Sequence, residues 1–438
     1  MNNARCYILD REKYYLLRGV MPVKSKTALV LAGGGLTGAV YEIGALRAID
    51  DLLIDLSVND FDIYVGTSAG ALINSFLANG VSPEEMFSVM DGTNKEVSAI
   101  ERQHIFHLNI NDYVGWGIRL PGKLMQSWSY YLRHINSMTF FDFIWSLGVA
   151  LPAGLYDGLG LETYIRQAFD KLALPNDFNM LSKELYIIAT DLDCGERAIF
   201  GPRHLDAPIS MAVAASSAIP VVYKPVKIGD HEYIDGGFRG TASIDLAIER
   251  GARLIVCINP MVPYNNSYPD DLHTHGIDEK HISGGGIQLV TGQTLRIFSY
   301  AGLHYHVKQV RRAHPQVDII LIEPQQNDYQ MTYDNIMRYS TRLHIAHHGF
   351  ETVTYDLAKD YALYKEVLSR HGIRVSRRLL IEELNEIAQS GHDPDVIRKV
   401  LEANQVGCRQ HHPKNPTCQL SRVLNELESI LNYPPIAS

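Results

Sequence analysis

A three-layer α/β/α sandwich around a mostly parallel central sheet, followed by a helical C-terminal extension, is the fold this sequence predicts. Short apolar runs of strand length alternate with stretches whose apolar residues recur every three or four positions. Two of those runs stop on glycine clusters that open directly into a helical stretch. The chain has 438 residues, 46% hydrophobic and 20% charged, which is enough for one large packed domain with extensions.

After a polar lead-in over residues 1–26, Thr27 to Ala32 reads as a buried strand that ends at Gly33-Gly34-Gly35. From Gly38 onward Val40, Ile43, Leu46, Ile49 and Leu53 give a helix one apolar face. The unit then repeats: Phe61 to Val65 is a strand, Gly66 to Gly70 a tight turn, and Ala71 to Ala78 a helix closed by Asn79-Gly80. Ser82-Pro83-Glu84-Glu85 is a capping-box start with proline at the first helical position. Further strands are expected at Leu185 to Thr190, at Val226 to Ile234 around a Gly229-Asp230 turn, at Leu254 to Ile258 and at Val317 to Ile322. Asp112 to Leu155 and Pro260 to Gly292 fit the pattern poorly and read as lids or insertions, with Gly284-Gly285-Gly286 a hinge or loop. The expected division is a lead-in over 1–26, an α/β catalytic domain over 27–333 and a helical extension over 334–438, with no internal repeat.

A net charge of -9 offers no footprint for a polyanion, so nucleic acid is not an expected partner. The five cysteines are odd in number and scattered, and the N-terminal residues carry charges where a secretory signal needs an apolar stretch. A reducing, cytoplasmic setting is therefore expected.

Gly66-Thr67-Ser68-Ala69-Gly70 is a G-x-S-x-G motif, which arises by chance in about one chain in seven of this length. Its setting gives it weight: a strand runs in, a helix runs out, and the flanking Gly66 and Gly70 permit a nucleophile elbow that exposes the Ser68 hydroxyl. Gly33, Gly34, Gly35 and Gly38 also join a strand to a helix, so their backbone N–H groups suit an oxyanion. A phosphate loop is the rival, but G-x-x-x-x-G-K-[ST] is absent and G-x-G-x-x-G is matched only loosely. Asp235-Gly236-Gly237 puts a carboxylate at a strand end.

With these three motifs in this order, the sequence resembles the patatin-like phospholipase family, whose hallmarks are a glycine-rich oxyanion loop, a G-x-S-x-G serine and a late D-G-G aspartate. Ala189-Thr190-Asp191-Leu192 with Gly195-Glu196, and Ala215-Ser216-Ser217-Ala218-Ile219-Pro220, look like the family's intervening segments. The resemblance spans roughly Lys26 to Pro324. It implies Ser68 as nucleophile, Asp235 as the other member of a Ser-Asp dyad, and Gly33, Gly34, Gly35 and Gly38 as the oxyanion loop. The implied activity is hydrolysis of lipid carboxylic esters through an acyl-enzyme, without cofactor or metal. The implied partners are a lipid or ester substrate and a transiently contacted membrane surface, with the oligomeric state left open.

The chain departs from the family pattern in three places. Thr37 stands where an Arg or Lys usually precedes the last glycine of the loop, and Thr241 and Ser243 stand where an asparagine and a proline often follow the D-G-G. Loss of the cation leaves open a neutral ester or a lysolipid as well as a diacyl phospholipid, since a cation is the usual partner of phosphate. Two other readings stand beside the dyad: an α/β-hydrolase triad with a downstream histidine, and a catalytically silent lipid-binding protein on the same scaffold.

Among the 18 histidines, His344, His347 and His348 stand at helical spacing and His304 lies near His306, but H-E-x-x-H is absent. Such histidines are more often solvated or satisfied in a core than ligands, as are Cys408, His411, His412 and Cys418, so no metal is expected. Phe140 to Leu155 is apolar but interrupted by Asp142 and Pro152 and shorter than a bilayer span. It reads as a core helix, or as an interfacial helix presenting Phe140, Phe141, Phe143 and Trp145.

Overall fold

The computed structural model describes residues 25–54, 56–107, 153–265, 281–333 and 339–403, with isolated helical positions between 121 and 133 and at 423–424. Most of Asp112 to Leu155, with Phe140, Phe141, Phe143 and Trp145, lies outside the described residues, as do Cys408, His411, His412 and Cys418.

The first units are β1 (Thr27–Leu31), α1 (Gly35–Leu52), β2 (Ile63–Thr67), α2 (Ala69–Ala78) and α3 (Pro83–Asp91). Next come β3 (Gly154–Tyr156), α4 (Leu159–Lys171), β4 (Glu184–Asp191), β5 (Arg197–Phe200), α5 (Ile209–Ser216) and β6 (Val221–Tyr223). The hairpin β7 (Val226–Ile228) and β8 (His231–Asp235) leads to α6 (Ile244–Glu249), β9 (Leu254–Ile258), α7 (Gly286–Ala313) and β10 (Asp318–Ile322). After a short helical turn over Gln330–Tyr333 come α8 (Tyr339–Lys359), α9 (Tyr361–Arg370), α10 (Arg378–Gln389) and α11 (Pro394–Glu402).

Eight strands form one sheet in the order β10-β9-β1-β2-β4-β8-β7, with β5 also on β4. The block from β10 to β4 is parallel, and β5, β8 and β7 add antiparallel pairings at one side. Alternation along each strand feeds two cores. Leu29, Leu31 and Tyr64 face a core shared with Val40, Ile43 and Leu46 of α1 and Phe350 and Val353 of α8. Ala28, Val30, Ile63 and Val65 face the other, shared with Ile244, Leu246 and Ala247 of α6 and Leu303, Val307 and Val310 of α7. Helices thus cover both faces, the three-layer arrangement that the alternating pattern predicts.

Two local features differ from the sequence expectation. α1 starts at Gly35, a full turn before Gly38, because Gly35 takes a positive φ of 59° that lets the chain turn from loop to helix at once. Gly284-Gly285-Gly286 is not a hinge: a 3-10 turn over Ile282–Gly285 runs into α7, whose 28 residues begin at Gly286. The core-facing spacing of α7 starts only at Leu303, with Val307 and Val310, whereas its first turns carry apolar residues that stay exposed, Ile287 at 86% and Val290 at 42%, so they leave no amphipathic period to read.

The C-terminal helices share the first core. α8 lies along α1 at backbone contact, since a Cβ on Gly44 would overlap the Ala346 carbonyl and one on Gly349 would overlap that of Tyr41. Arg47 of α1, 2% exposed, ties this layer together through ion pairs with Asp51, with Glu84 of α3 at 3.4 Å and with Glu383 of α10 at 3.1 Å. Burial without such partners would cost a guanidinium several kcal/mol.

Candidate active site

β1 and β2 are parallel neighbours, so their carboxyl ends deliver the glycine loop and Ser68 side by side. Ser68 sits between β2 and α2 with φ 54° and ψ -118°, a conformation uncommon for a residue with a side chain. The surroundings make the turn possible. A Cβ on Gly66 would stand 2.5 Å from the Gly70 carbonyl oxygen, and one on Gly70 would overlap the Leu31 carbonyl. The Gly70 N–H donates to the Ala32 carbonyl at 3.2 Å, pinning the elbow to β1.

Asp235 ends β8, which runs antiparallel to β4, and pairs with Ala189. Thr67 pairs with Ile188 on the other edge of β4, so one strand brings Ser68 and Asp235 to the same level. The backbone of Asp235 is held at both ends: its N–H donates to the Ala218 carbonyl at 2.9 Å and its carbonyl accepts from the Thr190 hydroxyl at 3.0 Å. Its carboxylate accepts the Gly237 N–H at 2.8 Å and lines the same cleft as the Ser68 hydroxyl, which favours its charged form. Burial raises the Asp235 pKa from 3.8 to about 6, because desolvation disfavours the charged form more than these two donors favour it. The pair thus joins a serine hydroxyl to a carboxylate with raised proton affinity.

Gly33 lies over the serine: a Cβ there would stand 3.2 Å from Ser68 Cβ and 3.9 Å from Oγ. Gly33, Gly34 and Gly35 line the cleft in front of Ser68 and Asp235. Gly38 does not line it. Its N–H is spent on the Gly34 carbonyl at 3.0 Å within the first turn of α1, and its bare Cα admits the ring of Pro260, 2.9 Å from where a Cβ would be. Gly38 is therefore a packing glycine rather than an oxyanion donor, a distinction set by where α1 begins.

Sequence reasoning gave no role to Ser216, which proves to buttress the elbow. Its hydroxyl, fully buried, accepts the Ser68 N–H at 2.8 Å and donates to the Ile188 carbonyl at 2.6 Å. Only its place in the Ala215 to Pro220 segment pointed to it. Ser216→Ala leaves the Ser68 N–H buried without an acceptor, so it should cost about 1–3 kcal/mol of stability. Activity should fall through kcat with KM little changed, since the elbow shifts while the cleft wall does not. Equal stability and kcat in the variant and the parent protein would refute the buttress.

The cleft wall is apolar, formed by Ile219, Phe238, Met261 and, from α7, Leu295 and Phe298. Phe238 is 41% exposed and Phe298 61% exposed, which makes the mouth of the cleft aromatic. Thr241, one of the departures, is tied to α7 by its hydroxyl, which donates to the Ser299 carbonyl at 3.0 Å. Ser243 accepts from Arg197 at 3.3 Å.

Among the described residues no histidine lines this cleft. His204 lies against Arg250. His231 pairs with Asp191 at 2.8 Å, His304 with Glu323 at 2.8 Å and His306 with Asp245 at 3.4 Å.

Comparison with known proteins decides the family. The profile described as Patatin-like phospholipase matches residues 29–248, half of the chain, and takes in the glycine loop, Ser68 and Asp235. The chain belongs to the patatin-like phospholipase family. Among the relatives of this patatin-like chain, "Probable lipid hydrolase 463L" of Invertebrate iridescent virus 6 is 23% identical over 248 residues, 56% of this chain and 71% of that protein. "Uncharacterized protein YqhO" of Bacillus subtilis is 26% identical over 219 residues, 48% of this chain and 62% of that protein. Two solved structures overlay weakly on the patatin-like chain. VipD from Legionella pneumophila gives a TM-score of 0.33 at 13% identity, covering 92% of this chain and 83% of VipD. The human GIVD cytosolic phospholipase A2, solved with methyl gamma-linolenyl fluorophosphonate, gives 0.32 at 11% identity, covering 80% and 59%.

Proposed function

We propose that this patatin-like protein hydrolyses carboxylic esters of lipids through an acyl-enzyme on Ser68, with Asp235 as the only base. The meeting of the Ser68 hydroxyl and the buried Asp235 carboxylate, of raised pKa, in one cleft is the observation that carries the reading. A serine hydroxyl is a weak nucleophile, and a carboxylate held against it can take its proton as Oγ attacks the ester carbonyl. Backbone N–H groups of Gly33, Gly34 and Gly35, which line the cleft beside Ser68, receive the oxyanion. The tetrahedral adduct collapses, the proton passes from Asp235 to the departing alkoxide, and water then hydrolyses the acyl-serine by the same route.

The apolar wall and aromatic mouth favour a lipid chain over a small polar ester, with Phe238 and Phe298 placed to touch a lipid aggregate. Thr37 in place of a basic residue favours a neutral or lysolipid headgroup. Among the described residues no helix is long and apolar enough to cross a membrane.

Two measurements test the reading. A fluorophosphonate probe should label Ser68 and no other serine, and a panel of lipid esters should be cleaved faster than a short soluble ester. Single Ala substitutions at His204, His231, His304, His306 and His344 should each leave substantial activity on the soluble ester. One folded histidine variant as inactive as Ser68→Ala would replace the dyad with a triad, and an unlabelled Ser68 in folded protein would leave a silent scaffold.

A further inference from the structure

The histidines of α8 are regrouped by the fold. Sequence spacing puts His344, His347 and His348 together, but His348 turns to Asp328 at 2.5 Å. His347 instead meets Glu351, one turn further along α8, and His392, which stands in the turn between α10 and α11. One ligand atom from each of the three lies within 4.8 Å of the other two. The rings of His347 and His392 stand edge to face with centroids 5.6 Å apart. A cavity opens beside them, flanked by Leu343, Pro394 and Ile397, and none of its lining residues belongs to the Ser68 cleft.

His347 is 5% exposed, and among the described residues its Nε2 has no hydrogen-bond partner. A buried imidazole nitrogen left bare costs about 1–3 kcal/mol, so it is expected to have an occupant. The pairings already made inside the protein do not supply one. The second cluster of this kind, Asp191, Asp193 and His231, differs in this respect: Asp191 already accepts the N–H groups of Asp193 and Cys194 and pairs with His231.

The geometry points to a zinc-class divalent cation site formed by His347, Glu351 and His392. Two imidazoles and one carboxylate suit Zn2+ or Co2+, whereas Mg2+ and Ca2+ prefer an all-oxygen shell. Bond lengths of about 2.0–2.2 Å set ligand atoms roughly 3.3 Å apart in a tetrahedron. Exposed His392 and half-buried Glu351 can close that remaining distance by side-chain rotation, with His347 as the fixed point. The open side of the cavity leaves the fourth position to water. Such an ion would fasten α8, which lies along α1, to the turn joining α10 and α11, so its role is to stabilise that helical layer rather than to act on an ester.

The test uses the full-length protein stripped with a chelator, then titrated with Zn2+ and, for its visible absorption, with Co2+. The parent protein should bind one equivalent that raises Tm and gives the intense Co2+ bands of a tetrahedral site. His392→Ala, at an exposed position, and Glu351→Gln, a near-isosteric change at a half-buried one, are both expected to fold and should bind that equivalent at least about tenfold more weakly and lose the Tm rise. Their hydrolysis of a soluble ester in metal-free buffer should match the parent's, which separates this site from the catalytic reading. Equal stoichiometry and affinity in parent and variants would assign the binding to other histidines and overturn the proposal, as would a parent protein that binds no equivalent.

Discussion

Ser68→Ala is expected to lower ester hydrolysis by a factor of about 10⁴ or more while the protein stays folded. The change removes one oxygen from an elbow whose shape is set by Gly66, Gly70 and Ser216 rather than by the hydroxyl. Stability should move by no more than about 1–2 kcal/mol, the scale of one side-chain hydrogen bond. Fluorophosphonate labelling should vanish with the activity. A folded Ser68→Ala protein that still cleaves a soluble ester would show that another residue is the nucleophile.

Asp235→Asn separates activity from stability in opposite directions. Asn keeps the shape but cannot take the proton, so activity should fall by about 10² or more. In the parent protein the base must be ionised, and with a pKa near 6 the rate should rise as pH increases through about 6 and then level off. The raised pKa has the reverse consequence for folding. Because the folded-state value lies above the ordinary 3.8, the stabilisation from the protonated form is full below about pH 3.8 and is lost as pH rises through about 6. At pH 8 the ionised, buried carboxylate therefore costs on the order of 3 kcal/mol, and Asn carries no charge to desolvate. Thermal or urea unfolding at pH 8 should find Asp235→Asn more stable than the parent, with the gap closing towards pH 4. An Asn variant that is active, or markedly less stable at pH 8, would refute this account of the base.

These opposite signs explain why the site has the composition it has. A carboxylate that is only lightly desolvated would be comfortable and a poor base, while a deeply buried one with no donor would stay protonated at neutral pH. Ser68 and the Gly237 N–H hold Asp235 between those limits.

How much of this could be read from the chain depends on how local each feature is. The strand-loop-helix units around Gly33-Gly34-Gly35 and Ser68, the capped start of α3 at Ser82 and Pro83, and the hairpin around Gly229-Asp230 were legible because each is decided within a few residues. Glycine conformational freedom, capping chemistry and apolar period act at that range. The sequence by itself therefore determined the layered α/β class and put Ser68 at a strand-to-helix turn and Asp235 at a strand end. The tertiary structure alone decided which of these ends meet, and what supports them. Ser216 reaches the Ser68 N–H across 148 positions. Gly38 packs its bare Cα against Pro260, α8 is laid along α1, and His347 is separated from His348 and faced with His392. None of these leaves a periodic trace, because side-chain contacts between distant segments depend on how the layers stack, and stacking is set by the summed fit of both cores rather than by any short stretch of chain.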